Sequence, residues 1–194
     1  MTSDAVFIYP PIKFGTTESF TYPPLGILYI ATYAKEKGIS VKFIDSLIDG
    51  GTPDEIVSSI LKENPKFVCF SIMSCQVLNA VKLASKIKEQ DKNVKIIFGG
   101  SHVASTKSEL FNFSKDIDYL MYGEGEVAFY QLYNAKNEED LSKISGLIYR
   151  SGDSVKINQM KPVENLDILP FPDLSLVKLH SYHGYYVKSL PVST

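Results

Sequence analysis

Five times along this chain a short apolar run gives way to a helical pattern. That alternation restricts the fold to a parallel sheet with helices on both faces, because right-handed crossovers place the helices there. The first run, Ala5-Val6-Phe7-Ile8-Tyr9, is ended by Pro10-Pro11, which can continue neither a ladder nor a helix. Leu25, Leu28, Tyr29, Thr32 and Tyr33 then follow a helical period, with Gly38 as its stop, and Val41-Lys42-Phe43-Ile44-Asp45 is the second strand. Thr52-Pro53-Asp54-Glu55 is a capping box with proline at the first helical position, and the helix it opens, carrying Ile56, Val57, Ile60 and Leu61, is stopped by Pro65. Phe67-Val68-Cys69-Phe70 is uninterruptedly apolar, as expected of a strand buried on both faces at the sheet centre. A third helix over 77–87 shows a lysine-rich outer face, and a fourth strand over 94–98 ends at Gly99-Gly100. A short helix over 108–112, a strand over 119–121 and a helix over 124–134 complete five units. The fold class is therefore α/β, a doubly wound five-stranded parallel sheet.

Beyond these units the pattern changes. Residues 146–150 and 155–157 alternate with period 2 about Ser151-Gly152-Asp153, which predicts a small β-hairpin at the domain margin. From Lys161 the chain, with Leu169-Pro170-Phe171-Pro172-Asp173 and the run Tyr182-His183-Gly184-Tyr185-Tyr186, has the character of a linker that ends in a docking surface. The expected division is a main domain over 1–145, the hairpin over 146–160 and the linker over 161–194. With 20 basic and 22 acidic residues and no long basic run, the electrostatic footprint of nucleic-acid binding is missing. No apolar run approaches the roughly 20 residues that span a bilayer, and the first residues lack the order of a signal peptide, so a cytoplasmic protein without a membrane partner is expected. Cys69 and Cys75 suit neither a disulfide framework nor a zinc pattern, and Cys69 reads as a buried small hydrophobe. The sequence does not indicate an oligomeric state.

Three turns fall where strand gives way to helix: Gly99-Gly100-Ser101-His102, Gly123-Glu124-Gly125-Glu126 and Tyr22-Pro23-Pro24-Leu25-Gly26. Glycines at the carboxyl ends of parallel strands admit a ligand close to the backbone, and the next helix offers unpaired N–H groups. A phosphoryl-accepting receiver is excluded, since the first strand ends in Tyr9-Pro10-Pro11 rather than an acidic cluster. A flavin mononucleotide domain is the weaker alternative: Gly15-Thr16-Thr17 has the hydroxyl chemistry of a phosphate loop, but Tyr22-Pro23-Pro24 intervenes before the helix. The Gly-x-Gly-x-x-Gly dinucleotide fingerprint does not follow the first strand.

In order along the chain, Tyr22-Pro23-Pro24-Leu25-Gly26-Ile27-Leu28-Tyr29-Ile30-Ala31, Asp45, Phe70-Ser71-Ile72-Met73, Gly99-Gly100-Ser101-His102 and Gly123-Glu124-Gly125-Glu126 resemble the motifs of the N-terminal cobalamin-binding domain of radical S-adenosylmethionine (SAM) enzymes. Gly146-Leu147-Ile148-Tyr149-Arg150 and Leu169-Pro170-Phe171-Pro172-Asp173 resemble the segment that joins this domain to the catalytic barrel. The resemblance implies a flavodoxin-like or Rossmann-like fold with cobalamin as cofactor and partner. Its nucleotide tail would thread into the cleft, near Ser71, Met73, Ser74, Gly99, Gly100, Ser101 and His102, with Gly123, Glu124, Gly125 and the loop bearing Gly15, Thr16, Thr17 and Tyr22 closing over it. Glu126 is expected only to cap its helix. Gly100→Val is expected to remove binding without unfolding the domain. No Asp-x-His-x-x-Gly follows the first strand, so no histidine ligand to cobalt and no other metal ligand is expected. The family's Cys-x-x-x-Cys-x-x-Cys motif is also absent. The [4Fe-4S] cluster and S-adenosylmethionine are therefore expected only in a missing C-terminal radical SAM barrel, and no catalytic residue in this chain. The resemblance makes the parent enzyme a methyltransferase or a related radical enzyme. The rival expectation is a noncatalytic docking or substrate-gating domain of the same fold that has lost cobalamin.

Overall fold

Strand β1 (Ala5–Tyr9) lies between β2 (Val41–Asp45) and β3 (Phe67–Ser71), all parallel, in the computed structural model, which describes residues 2–17 and 22–182. The chain reaches β2 through helix α1 (Leu25–Glu36), then passes a short α2 (Ser46–Asp49) and α3 (Pro53–Leu61) to β3. Helix α4 (Val77–Gln90) leads to β4 (Lys95–Gly99). A six-residue α5 (Ser101–Thr106) and a 3-10 turn over Lys107–Asn112 lead to β5 (Tyr119–Met121). Helix α6 (Glu126–Asn134) and a short α7 (Glu138–Ser142) follow. The parallel order β2-β1-β3-β4-β5 is that of a doubly wound sheet with its switch point between β1 and β3.

The expected hairpin is present as β6 (Leu147–Ser151) and β7 (Ser154–Ile157), and it joins the sheet at its edge. Strand β6 pairs antiparallel with β5, and β7 with β6, so one sheet of seven strands replaces the expected five. The chain returns through α6 and α7 to lay β6 antiparallel on the open edge of β5. Arg150 fastens the addition: its guanidinium donates to the carbonyls of Ile117 at 2.6 Å and Ser114 at 3.0 Å and lies 3.9 Å over the Phe111 ring. Strand β3 is the centre of the parallel part, as its composition predicts, while β4 is the middle of the whole sheet.

Side chains alternate between two cores, as a pleated strand requires. Val68, Phe70, Ile96 and Phe98 face α3, α4 and α5, while Phe7, Cys69, Ile97 and Met121 face α1 and α6. The capping box of α3 forms as its sequence predicts, Thr52 Oγ1 accepting from the Glu55 N–H and the Glu55 carboxylate from the Thr52 N–H. Among the described residues no helix is long and apolar enough to cross a membrane.

The segment after Lys161 does not run free. Leu174, Leu176 and Val177 pack on the core beneath α1, and the Asp173 N–H donates to Thr32 Oγ1 at 2.8 Å. Lys178 pairs with Asp49 at 2.6 Å, and the Tyr182 hydroxyl donates to Asp45 Oδ2 at 2.7 Å. Residues 173–182 thus form a strap across the β2 side of the molecule. Tyr182 is only 6% exposed, so this member of the expected docking run is buried. His183, Gly184, Tyr185 and Tyr186 lie outside the described residues.

Candidate functional site

A slot of about 250 Å³ opens at the carboxyl ends of β1, β3, β4 and β5, on the face covered by α1 and α6. Its floor is the set of residues that strand alternation sends to that face: Phe7, Cys69, Ser71, Ile97, Gly99 and Met121. Gly26, Ile27 and Ile30 of α1 form one wall, Glu126 and Phe129 of α6 the other, and Gly123-Glu124-Gly125 the lip. The slot is mainly apolar with a few convergent polar groups, which is the character of a small-molecule site. A larger cleft of about 610 Å³ beneath the strap, lined by Lys42, Asp49 and Glu55 among others, lies at the β2 edge, away from the switch point.

The two adjacent glycines at the end of β4 have different causes. Gly100 has φ +97°, and a Cβ there would stand 2.7 Å from both the N and the O of Ile72. This glycine is required by the crossing of two loops, which are tied by Ile72 N–H to Gly99 O at 2.9 Å and His102 N–H to Ile72 O at 3.2 Å. The expectation that Gly100→Val spares the fold is therefore incompatible with the geometry, since a side chain there strikes backbone. A Cβ on Gly99 would meet nothing closer than Met121 O at 3.4 Å, an ordinary contact. Gly99 leaves room in the slot that the fold itself does not demand.

The tied loops make a platform. Ser71, Gly99 and Gly100 line the slot, while Met73, Ser74, Ser101 and His102, which adjoin them in the chain, are outside its lining, with Ser74 Oγ 2.9 Å from His102 Nδ1. Gly123, Glu124 and Gly125 close the opposite side. Gly15, Thr16 and Thr17 do not line the slot: the Gly15 N–H donates to Gly51 O at 3.0 Å, and Thr17 lies against Gly50. Tyr22, 45% exposed, is also outside its lining. The loop after β1 is instead held toward α4, where Gln76 donates to Pro10 O at 2.6 Å and Asn79 to Pro11 O at 3.0 Å.

Ile27, Ile30 and Phe129, which the sequence reading places neither among the site residues nor in a helical period, wall the slot. Glu126 stands one helical turn before Phe129 and so shares its face. Burial pushes the Glu126 carboxyl up and Glu124 adds to this, while the N–H groups of Glu126 and Gly125 pull it down. A capping carboxylate would use those N–H groups, but Oε2 is buried with no hydrogen-bond partner, which capping does not explain. Burial pushes the Cys69 thiol well up, which disfavours the thiolate that a nucleophile needs. Among the described residues no group of three or more His, Cys, Asp or Glu could hold a metal ion.

A family model described as a B12 binding domain matches residues 14–133. An uncharacterized methyltransferase of Pyrococcus horikoshii is 31% identical over 164 residues, which is 84% of this chain and 36% of that protein. This chain thus spans about a third of that relative's length. Among solved structures, the cobalamin-dependent S-adenosylmethionine radical enzyme OxsB superposes with a TM-score of 0.70 at 19% identity, covering 93% of this chain and 25% of its own. The radical S-adenosylmethionine methyltransferase TsrM from Kitasatospora setae, solved with cobalamin and a [4Fe-4S] cluster, gives 0.64 at 17% identity over 83% of this chain and 32% of its own. At such identities the likeness to both structures is one of fold.

Proposed function

The chain belongs to the B12-binding domain family, and we propose that it holds cobalamin, with the nucleotide tail in the slot between α1 and α6, as the cofactor-binding part of a radical SAM enzyme. The observation that carries this reading is the slot itself, deep, apolar and floored by Gly99, a glycine the fold does not require. Phe7, Ile27, Ile30 and Phe129 would enclose a flat aromatic base, excluding water from it. Ser71 and the platform backbone would offer polar contacts above them, and the exposed Met73 and Leu78 would face the broad apolar surface of a corrin. When bound, cobalamin supplies the methyl-carrying chemistry, and the protein orients it.

In this reading residues 1–145 form the binding unit, 146–160 its marginal hairpin and 161–194 the connection to a catalytic barrel, which would carry the iron–sulfur cluster and S-adenosylmethionine. The relative from Pyrococcus horikoshii, called a methyltransferase, favours methyl transfer as the reaction of the parent protein. The protein would work in the cytoplasm. Gly15, Thr16, Thr17 and Tyr22 are given no part in holding the tail.

The test is an anaerobic visible-absorption titration of the purified chain with hydroxocobalamin, followed by desalting. Stoichiometric colour that stays with the protein, with a shifted spectrum, is the expected result. A protein that emerges colourless overturns the reading and favours a docking or gating domain that has lost the cofactor.

A further inference from the structure

Glu126 Oε2 and Ser46 Oγ are the two buried side-chain polar atoms without a hydrogen-bond partner among the described residues, and of the two residues only Glu126 lines the slot. Buried polar atoms in folded proteins are almost always paired, so an orphan on a carboxylate whose residue lines a cavity leaves that carboxylate short of a partner that a guest in the cavity can supply. We propose that Glu126 is the hydrogen-bond partner of the aromatic base at the end of the nucleotide tail, sharing one proton with a ring nitrogen of that base. The inference rests on the cobalamin reading above and assigns a specificity-determining residue within it.

The surroundings leave few other partners. Besides Glu126, the titratable groups lining the slot are Glu124 on the lip and Cys69 on β3. Glu124 Oε2 already accepts from the Val163 N–H at 2.5 Å. Burial holds the Cys69 thiol protonated and neutral. The lining residues of α1, β1, β4 and β5, among them Ile30, Phe7, Gly99 and Met121, bring no charge. No cation lines the slot beside Glu126, whose carboxyl is met only by the N–H groups of Glu126 and Gly125 at the helix start, so a guest that covers it can supply a further compensating contact. A benzimidazole-type base has a ring nitrogen that is a bare acceptor whenever it does not ligate cobalt. A carboxylate is also an acceptor, so the two attract only with one proton between them. Whether written as O–H donating to N or as N–H⁺ donating to O⁻, the pair holds one proton, and no covalent bond is made or broken. Burial already favours the protonated carboxyl, and a base laid over it adds to that burial.

Binding of a corrinoid with such a base must then take up a proton once free Glu126 is ionised. The experiment measures affinity of the whole chain for methylcobalamin in the dark, by spectral titration from pH 6 to pH 9. Methylcobinamide, which lacks the nucleotide tail, is the control. The expected result is an affinity for methylcobalamin that falls about tenfold per pH unit over at least one unit of this range, the slope of one linked proton. Methylcobinamide should show no such slope. Glu126→Gln, whose amide donates without titrating, should bind methylcobalamin with a pH-independent affinity. If the wild-type chain binds methylcobalamin with the same flat profile as methylcobinamide, Glu126 has no such role and the cobalamin reading stands. If it binds neither corrinoid, the cobalamin reading itself fails. The wild-type comparison of the two corrinoids decides the matter even if Glu126→Gln does not fold.

Discussion

Gly99 and Gly100 show how one dipeptide can answer to two constraints. At Gly100 the positive φ and the 2.7 Å approach to Ile72 leave no place for a Cβ, whereas at Gly99 φ is not positive and a Cβ would meet only ordinary contacts, Met121 O at 3.4 Å and Phe70 O at 3.9 Å. Gly100→Ala should therefore destabilise the domain by about 2 kcal/mol or more, because strained φ and a backbone clash add. Gly99→Ala should stay within about 1 kcal/mol of wild type yet weaken retention of cobalamin, since its methyl enters the floor on which the base would rest. Thermal melts and the desalting assay on both variants separate the two effects, and an equally stable Gly100→Ala would refute the steric account. The sequence shows only two glycines in a row. Which one guards the fold and which one the cavity depends on the Ile72 backbone, 28 positions earlier in the chain, so nothing local could distinguish them.

At the scale of elements, α3 was legible because its signal is local: the capping box, proline at the first position and an apolar stripe all lie within one segment. Helix α5 has no such signal, being six residues of Ser, His, Val, Ala, Ser and Thr, and it exists because the crossing of the Gly99-Gly100 and Ile72 loops starts it in place. The strap is also invisible locally, since its anchors lie some 130 residues away. Its inner anchor is Asp45, whose carboxyl is pushed up to about 6 by burial, against hydrogen bonds from Tyr182 and Leu47 that pull it down. A carboxyl with a raised value in the folded state binds a proton more readily when folded than when unfolded. The stability this confers is present below about pH 4 and is lost as pH rises toward 6, by about 2–3 kcal/mol in all. Asp45→Asn should accordingly flatten the pH dependence of the melting temperature between pH 4 and 6 and raise the melting temperature at pH 7. A profile unchanged from wild type would show that Asp45 is not the group responsible.

For the whole molecule, the strap and the hairpin make the folded unit larger than five strand–helix pairs. A chain ending at Pro172 should lose about 2 kcal/mol or more relative to the full chain, because Leu174, Leu176 and Val177 would no longer cover the core beneath α1. A urea melt with an unchanged midpoint would mean that the strap only rests on a domain complete without it. The amino-acid sequence by itself determined the alternation of elements, their parallel arrangement and the loops at which a ligand would meet them. These follow from period, proline, glycine and caps, which act over a few residues. The cofactor family was legible too, because its motifs are short and ordered along the chain. Only the tertiary structure decided that the hairpin extends the sheet, that Gly15-Thr16-Thr17 turns toward Gly50-Gly51, that Tyr182 is buried, and that Glu126 lines the slot and carries a buried oxygen without a partner. Each of these depends on which distant surfaces meet and on which polar atoms find no partner there, and close packing between remote segments leaves no periodic trace in the chain.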